Sequence, residues 1–184
     1  DDMLTHTNDP MKHLEVLEEL FQRHQEVGLK LKPSKTLLFQ TKVDYLGHQL
    51  SQDGIAMVPE YLDKILNWPE PINKKALGHM LGMFGYYRAF IPKFAYLTKD
   101  MNSMKSEKAT FTWTSQMSQQ LAELKEAFRK SQVRTFPDYK SGKPFILTID
   151  FSCEAIGVTL SQEQNGEIKL IAAAGRKTTE GEKN

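Results

Sequence analysis

Leu14, Leu17, Leu20, Phe21, His24 and Val27 recur at intervals of three and four, the spacing of one face of an α-helix. Asp9-Pro10 supplies an N-cap with proline at the first helical position, and Gly28 a stop, so residues 10–27 are predicted to form an amphipathic helix. The period then changes. Lys35 to Gln40 and Val43 to Ser51 are apolar or β-branched runs of strand length, and Gln52-Asp53-Gly54 is a turn leading into Ile55 to Val58, which together predict a small antiparallel set. Pro59 opens a helix carrying Leu62, Ile65 and Leu66, and Trp68-Pro69-Glu70-Pro71 stops it because proline cannot continue the hydrogen-bond ladder.

Asn73 caps a third helix, predicted through about Phe90, with Leu77, Met80, Leu81, Phe84 and Tyr87 on its apolar face. Pro92 ends it, and a further helix is expected from about Lys93 to Met104. Leu121, Leu124 and Phe128 mark another over residues 115–130. The last part changes period: Pro144 to Phe151, Ala155 to Gln162 and Glu167 to Ala174 read as three strands, with Gln164-Asn165-Gly166 turning the second into the third. No internal repeat or low-complexity tract interrupts this order. The fold class is therefore α+β.

With 184 residues the chain has room for one ordinary domain or two small ones, which excludes a large multidomain machine. A composition of 40% hydrophobic and 26% charged residues suits a globular chain that buries a core, and argues against global disorder or collagen. No stretch of about 18 apolar residues is present, and Asp1-Asp2-Met3 lacks the basic start of a secretory signal; the expectation is an intracellular chain with no membrane partner. The single cysteine, Cys153, can form neither an internal disulfide nor a cysteine-based zinc cluster and is expected as a buried thiol.

The net charge of +1 conceals an asymmetry. Residues 1–71 carry −5, residues 72–110 carry +5 and residues 111–184 carry +1. A short basic module containing Phe84, Tyr86, Tyr87, Phe90, Phe94 and Tyr96 suits a phosphate backbone, since cationic side chains displace condensed counterions and aromatic rings stack or wedge; a basic solvated helix face is the other reading.

Chemistry can reside at few places. Asp1-Asp2 alone reads as a solvated terminus. Asp150 ends the apolar strand Phe145 to Phe151, where a buried carboxylate without a partner would cost several kcal/mol. An Asx turn with Ser152 as local partner, an exposed strand end and a metal ligand are all open there. Gly78, Gly82 and Gly85 each cost a helix about 1 kcal/mol relative to alanine. Gly78, Gly82 and Tyr86 fall at i, i+4 and i+8, one stripe along which either an external backbone or a second helix could approach. The five histidines, His6, His13, His24, His48 and His79, show no metal-ligand spacing and are read as structural.

Five stretches in order, GLKLKPSKTLLFQTKVDYLGHQLSQDGI (28–55), NWPEP (67–71), LGMFGYYRAFIPKF (81–94), FTWT (111–114) and KPFILTIDFSCEAIGVTLSQ (143–162), resemble the Pol polyproteins of gypsy-type (metavirus) LTR retrotransposons over nearly the whole chain. The resemblance implies a fragment of a polymerase palm with a helical thumb, followed by the first strands of an RNase H-like α/β domain. Its implied divisions are residues 1–71 for the C-terminal part of the palm, 72–110 for the thumb, 111–142 for a connecting helix and tether, and 143–184 for the N-terminal part of the RNase H-like domain. The implied activity is RNA-directed DNA polymerisation with RNA strand cleavage in RNA–DNA hybrids.

In that comparison Asp1 and Asp2 are similar to the paired aspartates of the family's Tyr-x-Asp-Asp motif, which with a third, upstream aspartate hold two Mg²⁺ ions, Mn²⁺ being an alternative. Asp150 is similar to the first metal-binding carboxylate of the RNase H domain, although Phe151 stands where the family has alanine. Tyr45-Leu46-Gly47-His48 resembles the hairpin that grips the primer end, with Leu46 and Gly47 as nucleic-acid contacts, and Lys35 lies near a lysine proposed to protonate pyrophosphate. The thumb role, a helix along the minor groove of template and primer, falls on Gly78, Gly82 and Tyr86, with Arg88 beside them. Implied partners are an RNA template, an RNA–DNA hybrid and its primer, dNTP in the complete enzyme, and the rest of the polyprotein, in a cytoplasmic particle or the nucleus. The implied third aspartate, fingers and second RNase H carboxylate are not in these 184 residues, so the fragment alone is expected to be inactive. A non-catalytic nucleic-acid-binding relic or co-opted module is the alternative.

Overall fold

Helix α1, Pro10–Glu26, begins where Asp9 accepts hydrogen bonds at Oδ1 from the Met11 and Lys12 amides, at 2.7 and 3.2 Å. It ends against Gly28 in left-handed backbone (φ +72°). The computed structural model describes residues 2–131 and 133–182 of the chain, which divide into two compact units, residues 1–52 and 53–184.

In the first unit, α1 is followed by a 3₁₀ turn at Pro33–Lys35 and a hairpin of β1, Lys42–Tyr45, and β2, His48–Ser51. The strand predicted over Lys35 to Gln40 does not form. Pro33 has no amide to donate, and the Thr36 amide and hydroxyl turn back onto the carbonyls of Pro33 and Lys32, so the segment closes locally instead of pairing. Val43 to Ser51 is likewise two strands. Leu46 (φ +45°) and Gly47 (φ +74°) form the tight turn between Tyr45 and His48, and two positive φ values match the right-handed twist of a hairpin.

The second unit opens on β3, Gly54–Met57, which pairs antiparallel with β4, Val133–Arg134, through Ile55↔Arg134 and Ala56↔Val133. Glycine is obligatory at 54, where φ is +133° and a β-carbon would lie 2.1 Å from the Arg134 carbonyl oxygen. Between these strands lie α2, Pro59–Leu66; α3, Lys74–Tyr86; α4, Phe94–Leu97; α5, Lys99–Ser103; and α6, Ser115–Lys130. Asn73 and Thr114 cap α3 and α6 by accepting from the Ala76 and Met117 amides. The predicted third helix stops at Tyr86 and tightens into a 3₁₀ turn at Arg88–Phe90, while the predicted helix over 93–104 divides at Thr98. Both breaks place Tyr87, Phe90, Ile91 and Met101 into the core.

That core is the interior of the helices. Ile65, Leu77, Met80, Phe84, Leu124 and Phe128 are fully buried, each contributing about 1.5–3 kcal/mol by removal from water. Phe84 packs on Phe128 with ring centroids 5.5 Å apart and meets Trp68 edge-on at 6.2 Å.

Strands β5, Phe145–Phe151, β6, Ala155–Gln164, and β7, Glu167–Lys177, form an antiparallel sheet in that order. The predicted β6–β7 hairpin turns at Asn165 (φ +56°) and Gly166 (φ +80°). The incoming tether is tied down by Gln162, fully buried, whose side-chain oxygen accepts from the Asp138 amide while its nitrogen donates to the Asp138 and Lys143 carbonyls. Cys153 is exposed, contrary to expectation: it occupies the β5–β6 turn, and only its carbonyl is engaged, by the Thr178 hydroxyl at 2.6 Å.

Candidate nucleic-acid interface and carboxylate sites

Unit one holds Asp2, Lys35, Leu46 and Gly47. Asp1 lies outside the described residues. The Tyr45 hydroxyl donates to the Asp2 carbonyl oxygen at 3.4 Å, which ties the chain start to the strand that leads into the Leu46-Gly47 turn. Leu46 is 58% exposed in left-handed backbone, an arrangement that costs about 1 kcal/mol or more for a side chain with a β-carbon. Lys35 is exposed at the end of its 3₁₀ turn, and among the described residues no hydrogen bond or ion pair joins its ammonium to Asp2.

Helix α3 carries the stripe. Its apolar face goes to the core, leaving Gly78 and Gly82 on the opposite side, where a β-carbon built on either meets nothing within 4 Å. Packing against a second helix, one of the two open readings, is not what these glycines serve in this structure. Tyr86, 53% exposed, continues the stripe and stands edge-on to Tyr87 at 4.9 Å, with Arg88 exposed in the next turn. Lys75 and His79 are exposed on the same side at helical spacing from Gly78, Gly82 and Tyr86. Their own i, i+4 relation was the signal that could have added them to the stripe.

Asp150 is the sixth residue of β5, cross-strand from Gly157. Its side chain is 56% exposed, as in the exposed-strand-end reading, and every residue of β5 is exposed with it. Its partner is the ammonium of Lys93, with Nζ 3.1 Å from Oδ2. The Ser152 hydroxyl, the expected local partner, is committed elsewhere, donating to the Ala155 carbonyl and accepting from the Glu154 and Ala155 amides. A cleft of about 310 Å³ runs beside the pair, lined by Lys93, Tyr96, Asp150, Ser152 and Gly157. Next to it Lys99, its side chain only 17% exposed, is bonded to Glu154, and that hydrogen bond raises the lysine's pKa above its ordinary value. Exposed pairs such as Lys93–Asp150 contribute about 0.2–1 kcal/mol.

Carboxylate oxygens suit Mg²⁺, which binds through one or two carboxylates with waters or phosphate completing its shell. Among the described residues, however, no three His, Cys, Asp or Glu side chains come together to hold a metal ion. Asp150 stands alone with a cation from its own chain at 3.1 Å, so the described residues do not fit a two-metal centre.

The geometry is that of a mixed α+β chain with a glycine-striped helix, followed by a three-stranded antiparallel sheet bearing an aspartate near the end of its first strand. Two family models match in the corresponding order. Residues 1–50 match "Reverse transcriptase (RNA-dependent DNA polymerase)", and residues 113–184 match "RNase H-like domain found in reverse transcriptase". Residues 1–50 and 113–184 are thus similar to reverse-transcriptase and RNase H-like domains, and the chain is similar to transposon polyproteins. It is 29% identical over 167 residues to the Transposon Tf2-3 polyprotein of Schizosaccharomyces pombe, covering 91% of this chain and 12% of that protein, and 28% identical over the same length to the Tf2-7 polyprotein.

Among solved structures, the foamy viral protease-reverse transcriptase in complex with RNA/DNA hybrid superposes with a TM-score of 0.77 at 27% identity, over 96% of this chain and 24% of that one. The same protein in complex with dsDNA gives 0.78 at 27% identity, over 97% and 37%. The chain therefore spans a small part of each relative.

Proposed function

We propose that this chain is part of a gypsy-type retroelement reverse transcriptase and ribonuclease H, and that its own contribution is to hold a template–primer duplex. The observation that carries the reading is the open stripe of Gly78, Gly82 and Tyr86, which lets a sugar–phosphate backbone approach α3 without obstruction while Lys75 and Arg88 stand beside it. Foamy viral relatives solved with RNA/DNA hybrid and with dsDNA support it. In this reading residues 72–110 are the thumb, Leu46-Gly47 contacts the primer end, and nucleotide addition at Asp1 and Asp2 and hybrid cleavage at Asp150 belong to the longer polyprotein. Mg²⁺ would serve both reactions there.

Binding of a fluorescently labelled RNA–DNA hybrid, followed by anisotropy at several salt concentrations, tests it. The affinity should fall steeply with salt, by a logarithmic slope of about −0.9 per phosphate neutralised in a B-form duplex, and less for other forms. Gly82→Leu, which fills the open stripe, should weaken binding about tenfold with the helical circular dichroism unchanged. An unchanged affinity would remove the groove-facing assignment. A non-catalytic holding module is the second reading, favoured by the lack of a three-ligand cluster among the described residues. Mg²⁺-dependent cleavage of the hybrid by this chain would discard it.

A further inference from the structure

Strand β5 closes its sheet on one side, with β6 hydrogen-bonded to its inner edge and no described strand on its outer one. Natural edges are guarded by proline, lysine, a bulge or a covering element, because a row of open amides and carbonyls accepts another strand. Residues 145–151 contain neither proline nor lysine, and the register of β5 on β6 runs unbroken from Phe145↔Gln162 to Phe151↔Ile156. The other side of the sheet is partly engaged, since the Thr135 amide donates to the Leu170 carbonyl of β7 at 2.8 Å. The two faces of β5 also differ. Asp150 is on the face where α4 lies: a β-carbon at Gly157, cross-strand from it, would be 4.0 Å from the Lys93 α-carbon, and one at Gly175 would be 3.6 Å from the Ala95 β-carbon. Phe145, Leu147, Ile149 and Phe151 alternate onto the opposite face, and the last three are 60, 63 and 58% exposed.

We propose that β5 pairs antiparallel with β5 of a second copy of this chain, the two-fold axis passing through Thr148. In that register Phe145 lies opposite Phe151 of the second copy and Leu147 opposite its Ile149, so all four apolar side chains of one face meet across the join. A shift of two residues sets a phenylalanine against Lys143 or Cys153, and a shift of one turns the second copy's apolar face to the other side. Charge does not oppose the contact. Asp150 is the one charged residue of the strand and is already paired with Lys93 at 3.1 Å. In the dimer the two Asp150 positions stand about 14 Å apart, beyond the Debye length of about 8 Å at physiological salt. Covering these side chains and one strand edge on each copy removes on the order of 1,000 Å² in total, the low end for specific interfaces, so the dimer is weak and concentration-dependent. The closed two-fold joins the three strands of each copy into a single sheet.

Single-cysteine variants of the full chain, made in a Cys153→Ser background, test the register under mild oxidation. Thr148→Cys sets each thiol opposite its own copy at an α-carbon separation of about 4.5–5.5 Å, which a disulfide spans. Ile146→Cys leaves the two thiol-bearing residues about 14 Å apart, which no disulfide spans. Thr148→Cys should therefore form covalent dimer at least about tenfold faster than Ile146→Cys, and equal rates would overturn the proposal. For the unaltered chain, sedimentation equilibrium should show monomer and dimer alone. A monomer at every concentration would sink the idea, as would assemblies that grow past the dimer, which mark open-ended pairing of β5 with another edge. At concentrations where the dimer is present, a mixture of isotope-labelled and unlabelled unaltered chains should give intermolecular NOEs between the Leu147 and Ile149 methyls. Their absence overturns the proposal even if a cysteine variant misfolds.

Discussion

Left-handed backbone is costly for side chains with a β-carbon, and among the described residues Phe39, Leu46, Lys93 and Asn165 adopt it. Asn165 was legible, because asparagine before glycine between two strands specifies its turn. Lys93 was not. Its ion-pair partner is 57 positions away, and no periodicity links an ammonium before one helix to a carboxylate near the end of a strand. Tyr87 shows the same limit in another form. The spacing placed it on the apolar face of α3, and it is 1% exposed, yet it sits just past the end of the helix. Burial, with smaller contributions from Tyr86 and Tyr61, pushes its phenol up to about 12. A group whose folded pKa is raised contributes stability that is whole below its unfolded value near 10 and is lost as pH climbs toward 12. Thermal melts from pH 9 to 12 should therefore show a steeper loss for the unaltered chain than for Tyr87→Phe; equal slopes would mean that the phenol does not control alkaline unfolding.

Capped, periodic elements were readable and short ones were not. Helices α1, α2 and α6 begin and end within two residues of where the sequence places them, since Asp9, Pro59 and Thr114 act within one turn. The division of residues 93–104 into α4 and α5 falls at Thr98, fully buried with its hydroxyl donating to the Phe94 carbonyl, and that burial is not legible in local spacing. The two glycines under α4 separate packing from backbone strain. A β-carbon at Gly157 would make ordinary contacts, and Gly157→Ala should leave stability within about 0.5 kcal/mol. At Gly175 it would lie 2.9 Å from the Ile156 carbonyl oxygen, a backbone atom that must shift, so Gly175→Ala should cost about 1–3 kcal/mol. Urea denaturation of both variants checks the contrast, and equal midpoints would contradict the close approach.

For the whole molecule, the sequence showed two changes of charge and a final run of strands, but not how much of that last sheet would be covered. Phe145 to Phe151 reads as a mostly apolar run broken only at Thr148 and Asp150, close to the pattern of a strand with neighbours on both faces. In the structure all seven residues are exposed, and no described strand pairs with the outer edge of β5. Such an edge templates pairing with other chains. Leu147→Lys, at a side chain 60% exposed, should change stability by no more than about 0.5 kcal/mol while raising the monomer fraction in sedimentation. Unchanged self-association would show that β5 is not the contact. The turn at the far end of that strand presents Cys153, and with no other thiol in the sequence a maleimide fluorophore attaches at a single address beside Glu154 and three residues from Asp150. The chain thereby carries its own labelling point for single-molecule work at the place where helix and sheet meet.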